Sequence, residues 1–189
     1  IIPELSKHFK IYALDYPGHG YSDIPKTEYS PEFFIDAVEG FLQALNIRDA
    51  TVAGISIGGT IALVLAARNN PHIAKVISIN PYDYDKGRGV YRSSIFARLL
   101  FSMNGIPLLG ATNWRFRIFY VFRKIMEGGV ISAQAFPLEL MKEMDAVGNR
   151  PYHYRAFMSL ISHLAEWETL REEYANINAP VLLIYGEKD

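Results

Sequence analysis

A serine with a glycine two residues away on each side, Gly54-Ile55-Ser56-Ile57-Gly58, follows the apolar run "TVA" and opens the apolar stretch "GTIALVLAA". This pattern suits a sharp strand-to-helix turn that holds the serine at its apex in a strained backbone conformation. The hydroxyl would then stand clear of the sheet, placed to attack an electrophilic carbonyl. The amide of Ile57, at the helix N-terminus, could donate to the oxyanion that develops. Glycines at these positions let strand and helix approach with no side chain between them. The three fixed positions alone are weak evidence, since at about 7 % Gly and Ser they arise by chance in roughly 6 % of chains this size. The strand before and the helix after supply the specificity. The competing reading of Ser56 is a small residue in a structural turn.

A nucleophilic serine needs a base, normally a histidine held by a carboxylate. The five histidines are His8, His19, His72, His153 and His163. His8 precedes the first expected strand and His72 the third, at the strand ends opposite the serine. His19 sits in the Gly18–Gly20 turn, where a structural role fits best, and His153 and His163 fall in later helical sequence. None is assigned as the base. The chain has no cysteine, which excludes disulfides, thiolate zinc sites and a cysteine nucleophile. That absence fits a reducing, cytoplasmic location. Nineteen basic against twenty acidic side chains give no overall electrostatic case for nucleic acid. No uninterrupted apolar run is long enough for a membrane-spanning helix.

The elements that must position the serine follow from apolar spacing and punctuation. "FKIYALD" reads as a short buried strand that breaks at Pro17, Gly18 and Gly20. Ser30-Pro31 gives a helix start, and apolar residues at 34, 35, 38, 41, 42 and 45 continue it. "DATVAG" is the next strand, "GGTIALVLAARNN" the next helix and "AKVISIN" a third strand. Strand, helix, strand, helix, strand makes successive βαβ units and a parallel sheet. Residues 83 to about 170 read as wholly helical, broken near Gly105–Pro107, Gly128–Gly129 and Gly148–Pro151, before "APVLLIYGEKD" restores a strand. The expected organisation is a core over 1–82, a helical cap over 83–170 and a returning core strand over 171–189. "IIPELSKHFK" reads as the end of a helix, and both termini read as cut within a fold.

Three segments in order, "LDYPGHGYSD", "GISIGG" and "PVLLIYGEKD", resemble the α/β-hydrolase superfamily, specifically its cap-bearing esterase, lipase and haloperoxidase-like members. The first is similar to the family's D-x-x-G-x-G-x-S segment, the second to its nucleophile elbow, the third to the late strand and G-x-x-D turn that carries the triad acid. The resemblance runs along essentially the whole chain and implies an α/β-hydrolase fold: a parallel sheet, flanking helices and a helical cap insertion. It implies that Ser56 attacks, that Ile57 contributes to the oxyanion hole and that Asp189 is the acid. Asp83 and Asp85, after the preceding strand, are rival acids, since some relatives place it there. In the family order the histidine follows the acid, and an H-G-type oxyanion loop precedes "FKIYALD". Neither lies within residues 1–189, so these residues alone are expected to turn over an ester poorly.

Haloalkane dehalogenases and epoxide hydrolases carry aspartate at the elbow, whereas serine implies an acyl-enzyme and cleavage of an ester, thioester, amide or activated C–C bond. Residues 83–127 hold eight basic and three acidic side chains interleaved with aromatics such as Phe96, Trp114 and Phe119. The plainer reading is a buried cap whose arginine stems reach water. The sharper one is a lid that admits an acyl chain or rests peripherally on a membrane. The expectation is a serine hydrolase acting on a small apolar ester or acyl compound, with no metal or organic cofactor implied and no nucleic-acid partner. Acyl transfer or perhydrolysis would use the same constellation. A non-catalytic relative that binds a ligand or partner through the cap is the competing class.

Overall fold

A computed structural model describes residues 1–82, 123 and 137–187. The short α1 (Ile2–Leu5) is followed by α2 (Pro31–Ala44), β1 (Ala50–Ile55), α3 (Ile57–Ala67) and β2 (Ile73–Ile79). Three helices, α4 (Leu138–Gly148), α5 (His153–Ser162) and α6 (Leu164–Thr169), then lead through a 3₁₀ turn (Leu170–Asn176) into β3 (Val181–Ile184). The strands form one parallel sheet in the order β1-β2-β3. Because β2 and β3 are sheet neighbours a hundred residues apart in sequence, the intervening helices are an excursion between adjacent strands.

Local chemistry accounts for the elements that hold the site. The Ser30 hydroxyl accepts from the Phe33 amide at 3.3 Å, and Pro31 fills the first turn of α2, where a missing N–H costs nothing. Phe34, Ile35, Val38 and Leu42 form the buried stripe of that helix. Residues 58–67 of α3 are all buried, which explains why its sequence is apolar on every face. One face meets the sheet, where Ala62, Leu63 and Ala66 pack on Val52, Val76 and Val181, residues in register across the three strands. The other meets α2, α5 and Trp167 in a single core cluster that also takes in Tyr29, Leu160 and Leu170.

The strand expected at "FKIYALD" is absent. Residues 11–16 pair with no strand among the described residues, and Tyr12 and Leu14 are exposed. A strand exists only through its neighbour's hydrogen bonds, and among the described residues β1, whose burial alternates along its length, has β2 as its one strand partner. Apolar composition alone could not reveal that missing partner. Among the described residues no helix is long and apolar enough to cross a membrane.

Candidate active site

Ser56 stands between β1 and α3 at φ 54°, ψ −123°, and is exposed. A non-glycine residue with positive φ costs on the order of 1–3 kcal/mol and persists only where its surroundings over-determine it. They do so here. The Ser56 amide donates to the Ile79 carbonyl at 3.0 Å, while its own carbonyl accepts from the amides of Thr60 at 3.1 Å and Tyr82 at 3.2 Å. The buried Thr60 hydroxyl donates to the Tyr82 carbonyl at 2.9 Å. The elbow is thus laced to residues 79–82, the segment that leaves β2. Ile57 is the first residue of α3, where geometry denies its amide an acceptor within the helix.

The glycines around the serine differ in what they must avoid. A Cβ on Gly54 would lie 2.2 Å from the carbonyl carbon and oxygen of Gly58, so β1 and α3 touch backbone to backbone. A Cβ on Gly59 would lie 2.7 Å from the Ser78 hydroxyl and 3.2 Å from the Gly54 carbonyl. On Gly58 it would meet only the end of the Tyr16 side chain, at 3.0 Å. Close approach therefore constrains Gly54 and Gly59 most, and Gly58 less than the sequence pattern suggests.

The segment "DYPGHGYS" builds a loop against this turn. The Asp15 carboxylate accepts from the Tyr21 amide at 3.0 Å, and the Ser22 hydroxyl donates to the Asp15 carbonyl at 2.7 Å. Gly20, at φ 50°, passes so close that a Cβ there would fall 2.1 Å from the Asp15 carboxyl carbon. Gly18, at φ 78°, has the same restriction against Tyr29 and Ala156. Arg150 donates to the carbonyls of Gly20 and Ser22, tying the loop to the turn between α4 and α5. The loop presents Tyr16 to the first turn of α3, and burial pushes the Tyr16 phenol pKa up.

Ser56 has no hydrogen bond to a histidine among the described residues. His19 makes a 3.2 Å contact through Nδ1 with the Pro17 carbonyl and packs edge-on against Phe34 and His153, and burial pushes its pKa down. His72 reaches the Ile47 carbonyl through Nδ1 at 2.6 Å, at the N-terminal end of β2 and so opposite the elbow. His163 contacts the Ser159 carbonyl through Nδ1 at 2.7 Å, and His8 is exposed. Asp189, Asp83, Asp85 and, apart from Arg123, the basic and aromatic residues of 83–127 lie outside the described residues. The strand that leads toward Asp189 is described: its exit is held by Asn80, at φ 42°, whose amide donates to the Ile184 carbonyl at 2.8 Å and whose Oδ1 accepts from the Gly186 amide at 2.9 Å. Sequence reasoning passed over Asn80, Thr60 and Tyr82, because their partners are far away in the chain and no local pattern marks them. Among the described residues no group of three or more histidine or acidic side chains could hold a metal.

A serine at a strained strand-to-helix turn, at the carboxyl edge of a parallel sheet, with α3 packed beneath it, fits one family. The family profile described as "alpha/beta hydrolase fold" matches residues 1–189, and the chain belongs to that family. It is similar to 2-hydroxymuconate semialdehyde hydrolase of Pseudomonas sp. (strain CF600), with 37 % identity over 78 residues, 41 % of this chain and 28 % of that protein. Among solved structures it resembles a point mutant of the meta-cleavage product hydrolase CumD, with TM-score 0.75 and 21 % identity over 98 % of this chain and 64 % of that one. It also resembles the epoxide hydrolase CorEH, with TM-score 0.80 and 18 % identity over 98 % of this chain and 68 % of that one. At such identities the structural likeness shows the fold alone. Curated relatives matched along nearly the whole chain are longer: the chain spans 54–66 % of their length. Several of the curated relatives are named as hydrolases, among them 2-hydroxymuconate semialdehyde hydrolase and the serine hydrolase BPHL of Mus musculus.

Proposed function

We propose that this chain supplies the nucleophile and the acid of a serine hydrolase that opens an apolar carboxylic ester or a related acyl bond through an acyl-enzyme. The carrying observation is Ser56 itself: exposed, at φ 54°, ψ −123°, and set at the N-terminus of an eleven-residue helix. Its Oγ attacks the acyl carbon and its proton passes to a histidine base oriented by Asp189. The Ile57 amide, whose acceptor position in the helix is vacant, donates to the oxyanion. Collapse breaks the bond to the leaving group, which takes the proton. Water then cleaves the acyl-enzyme and restores Ser56. A structural likeness to an epoxide hydrolase does not redirect this chemistry, because a serine hydroxyl forms an acyl ester where a carboxylate forms an alkyl ester.

The local match to 2-hydroxymuconate semialdehyde hydrolase favours a second reading, in which the bond broken in the same acyl transfer is carbon–carbon. One experiment addresses both. Full-length protein and its Ser56→Ala variant are treated with a fluorophosphonate probe, then assayed on p-nitrophenyl esters of increasing acyl length and on 2-hydroxymuconate semialdehyde. Labelling confined to Ser56, lost in the variant together with turnover, is the expected result. Preference for long acyl chains supports the apolar ester, and turnover of the semialdehyde alone supports the carbon–carbon reading. A folded protein that resists the probe would favour the ligand-binding class. Product analysis with an added alcohol or peroxide separates hydrolysis from acyl transfer and perhydrolysis.

A further inference from the structure

We infer that Asn80 is a positioning residue that fixes the acid-bearing turn after β3 relative to the nucleophile elbow; this rests on the roles proposed above for Ser56 and Asp189. The β2–β3 ladder runs from Val76↔Val181 to Ile79↔Ile184. Asn80 lies one residue past its end and carries it further. Its amide donates to the Ile184 carbonyl at 2.8 Å, and its side-chain Oδ1 accepts from the Gly186 amide at 2.9 Å. One residue thus holds the β3 exit at two points two residues apart, which fixes the direction in which the chain leaves the sheet as well as its position.

The residue immediately before Asn80 holds the other half of the site. The Ile79 carbonyl accepts the Ser56 amide at 3.0 Å, and Tyr82, two residues past Asn80, donates its amide to the Ser56 carbonyl at 3.2 Å. Residues 79–82 therefore grip the elbow through their backbone and the β3 exit through Asn80. The residue type follows from two demands. At φ 42° the position tolerates glycine, asparagine or aspartate far better than a branched side chain. The Gly186 amide also needs an acceptor on a short side chain, which asparagine and aspartate offer and glycine lacks. No local motif calls for asparagine at this place, since its acceptor role exists only once β3 has returned beside β2.

Full-length protein carrying Asn80→Gly keeps the backbone conformation and loses only the acceptor, whereas Asn80→Asp keeps both. The expected result is a kcat about tenfold lower in Asn80→Gly at nearly unchanged KM, because misplacing a catalytic group by a fraction of an ångström slows chemistry more than binding. Hydrogen exchange at the Gly186 amide should quicken in the same variant. Asn80→Asp should restore both exchange protection and most of kcat. Its added carboxylate should also raise the pKa of the base on the acid limb of kcat/KM, since a nearby negative charge favours the protonated imidazole. An Asn80→Gly enzyme whose kcat stays within twofold of wild type, or whose Gly186 amide stays protected, overturns the inference while Ser56 labelling stands. Wild-type protein that resists the fluorophosphonate overturns the reading of Ser56, and the role of Asn80 falls with it.

Discussion

Substituting Gly54 with alanine adds one methyl group at the narrowest point between β1 and α3. The new Cβ would lie 2.2 Å from the carbonyl carbon and oxygen of Gly58 and 2.7 Å from the Gly59 amide nitrogen, where ordinary contact begins at 3.4 Å. All three atoms are backbone at the start of a helix buried from Gly58 to Ala67, so no rotamer change relieves the overlap. Strand and helix must separate by about an ångström, against packing that fills every face of α3. Overpacking of this kind costs about 1–3 kcal/mol where side chains can yield, and a clash with immobile backbone sits at or above the top of that range. For a domain of this size, about 3 kcal/mol corresponds to a fall in melting temperature of roughly 6–12 °C. Gly40, in α2, has nothing within 4 Å of its would-be Cβ, and Gly40→Ala should stabilise by about 0.5–1 kcal/mol. Urea denaturation of both variants and of wild type checks the sign and the size together. Gly54→Ala within about 0.5 kcal/mol of wild type would refute the backbone-to-backbone contact, because surface substitutions alone produce changes that small.

Two further predictions concern pH. His19 is held below its usual pKa of 6.5 chiefly by burial. The unfolded chain therefore takes up a proton at a pH where the folded protein does not, so stability is full above about pH 6.5 and declines as pH falls toward the depressed value. His19→Gln should flatten that part of the stability–pH profile, and an unchanged slope between pH 5 and 7 would count against the burial of an unprotonated ring. Arg68 pairs with Glu32 at 2.7 Å and Glu173 at 2.9 Å, joining the end of α3 to α2 and to the 3₁₀ turn. The Arg68 guanidinium beside Glu32 holds its carboxyl below the usual 4.5, so the pair stabilises fully above that value and its contribution fades as pH falls through the lowered pKa. Because Glu32 is half exposed, Arg68→Met should cost only about 0.5–1 kcal/mol at pH 7 and less near pH 3, measured by denaturant midpoints.

Much of the fold can be read from local patterns, because those patterns are the physics. Ser30-Pro31 starts α2 because one satisfies an orphan amide and the other needs none. The uniform apolarity of residues 57–67 requires a helix covered on all sides, and that is its position between sheet and core cluster. The serine between glycines likewise specifies its own turn. Local pattern fails where a residue's state depends on a distant partner. "FKIYALD" has the composition of a strand yet pairs with none among the described residues, since pairing belongs to two segments at once.

The same division runs through the site. Sequence alone determined the tight strand-to-helix turn at Ser56 and which family the chain belongs to, because the turn's steric demands fall on neighbours in the chain. Tertiary structure alone decided which glycines are confined: Gly59 lies against Ser78, and Gly58 faces only the tip of Tyr16. It also decided that Asp15 serves as the internal brace of its loop and that Asn80 joins two strand exits more than a hundred residues apart. A hydrogen bond across the sheet leaves no trace in the spacing of the residues that make it. Its partners become neighbours only after the chain has folded.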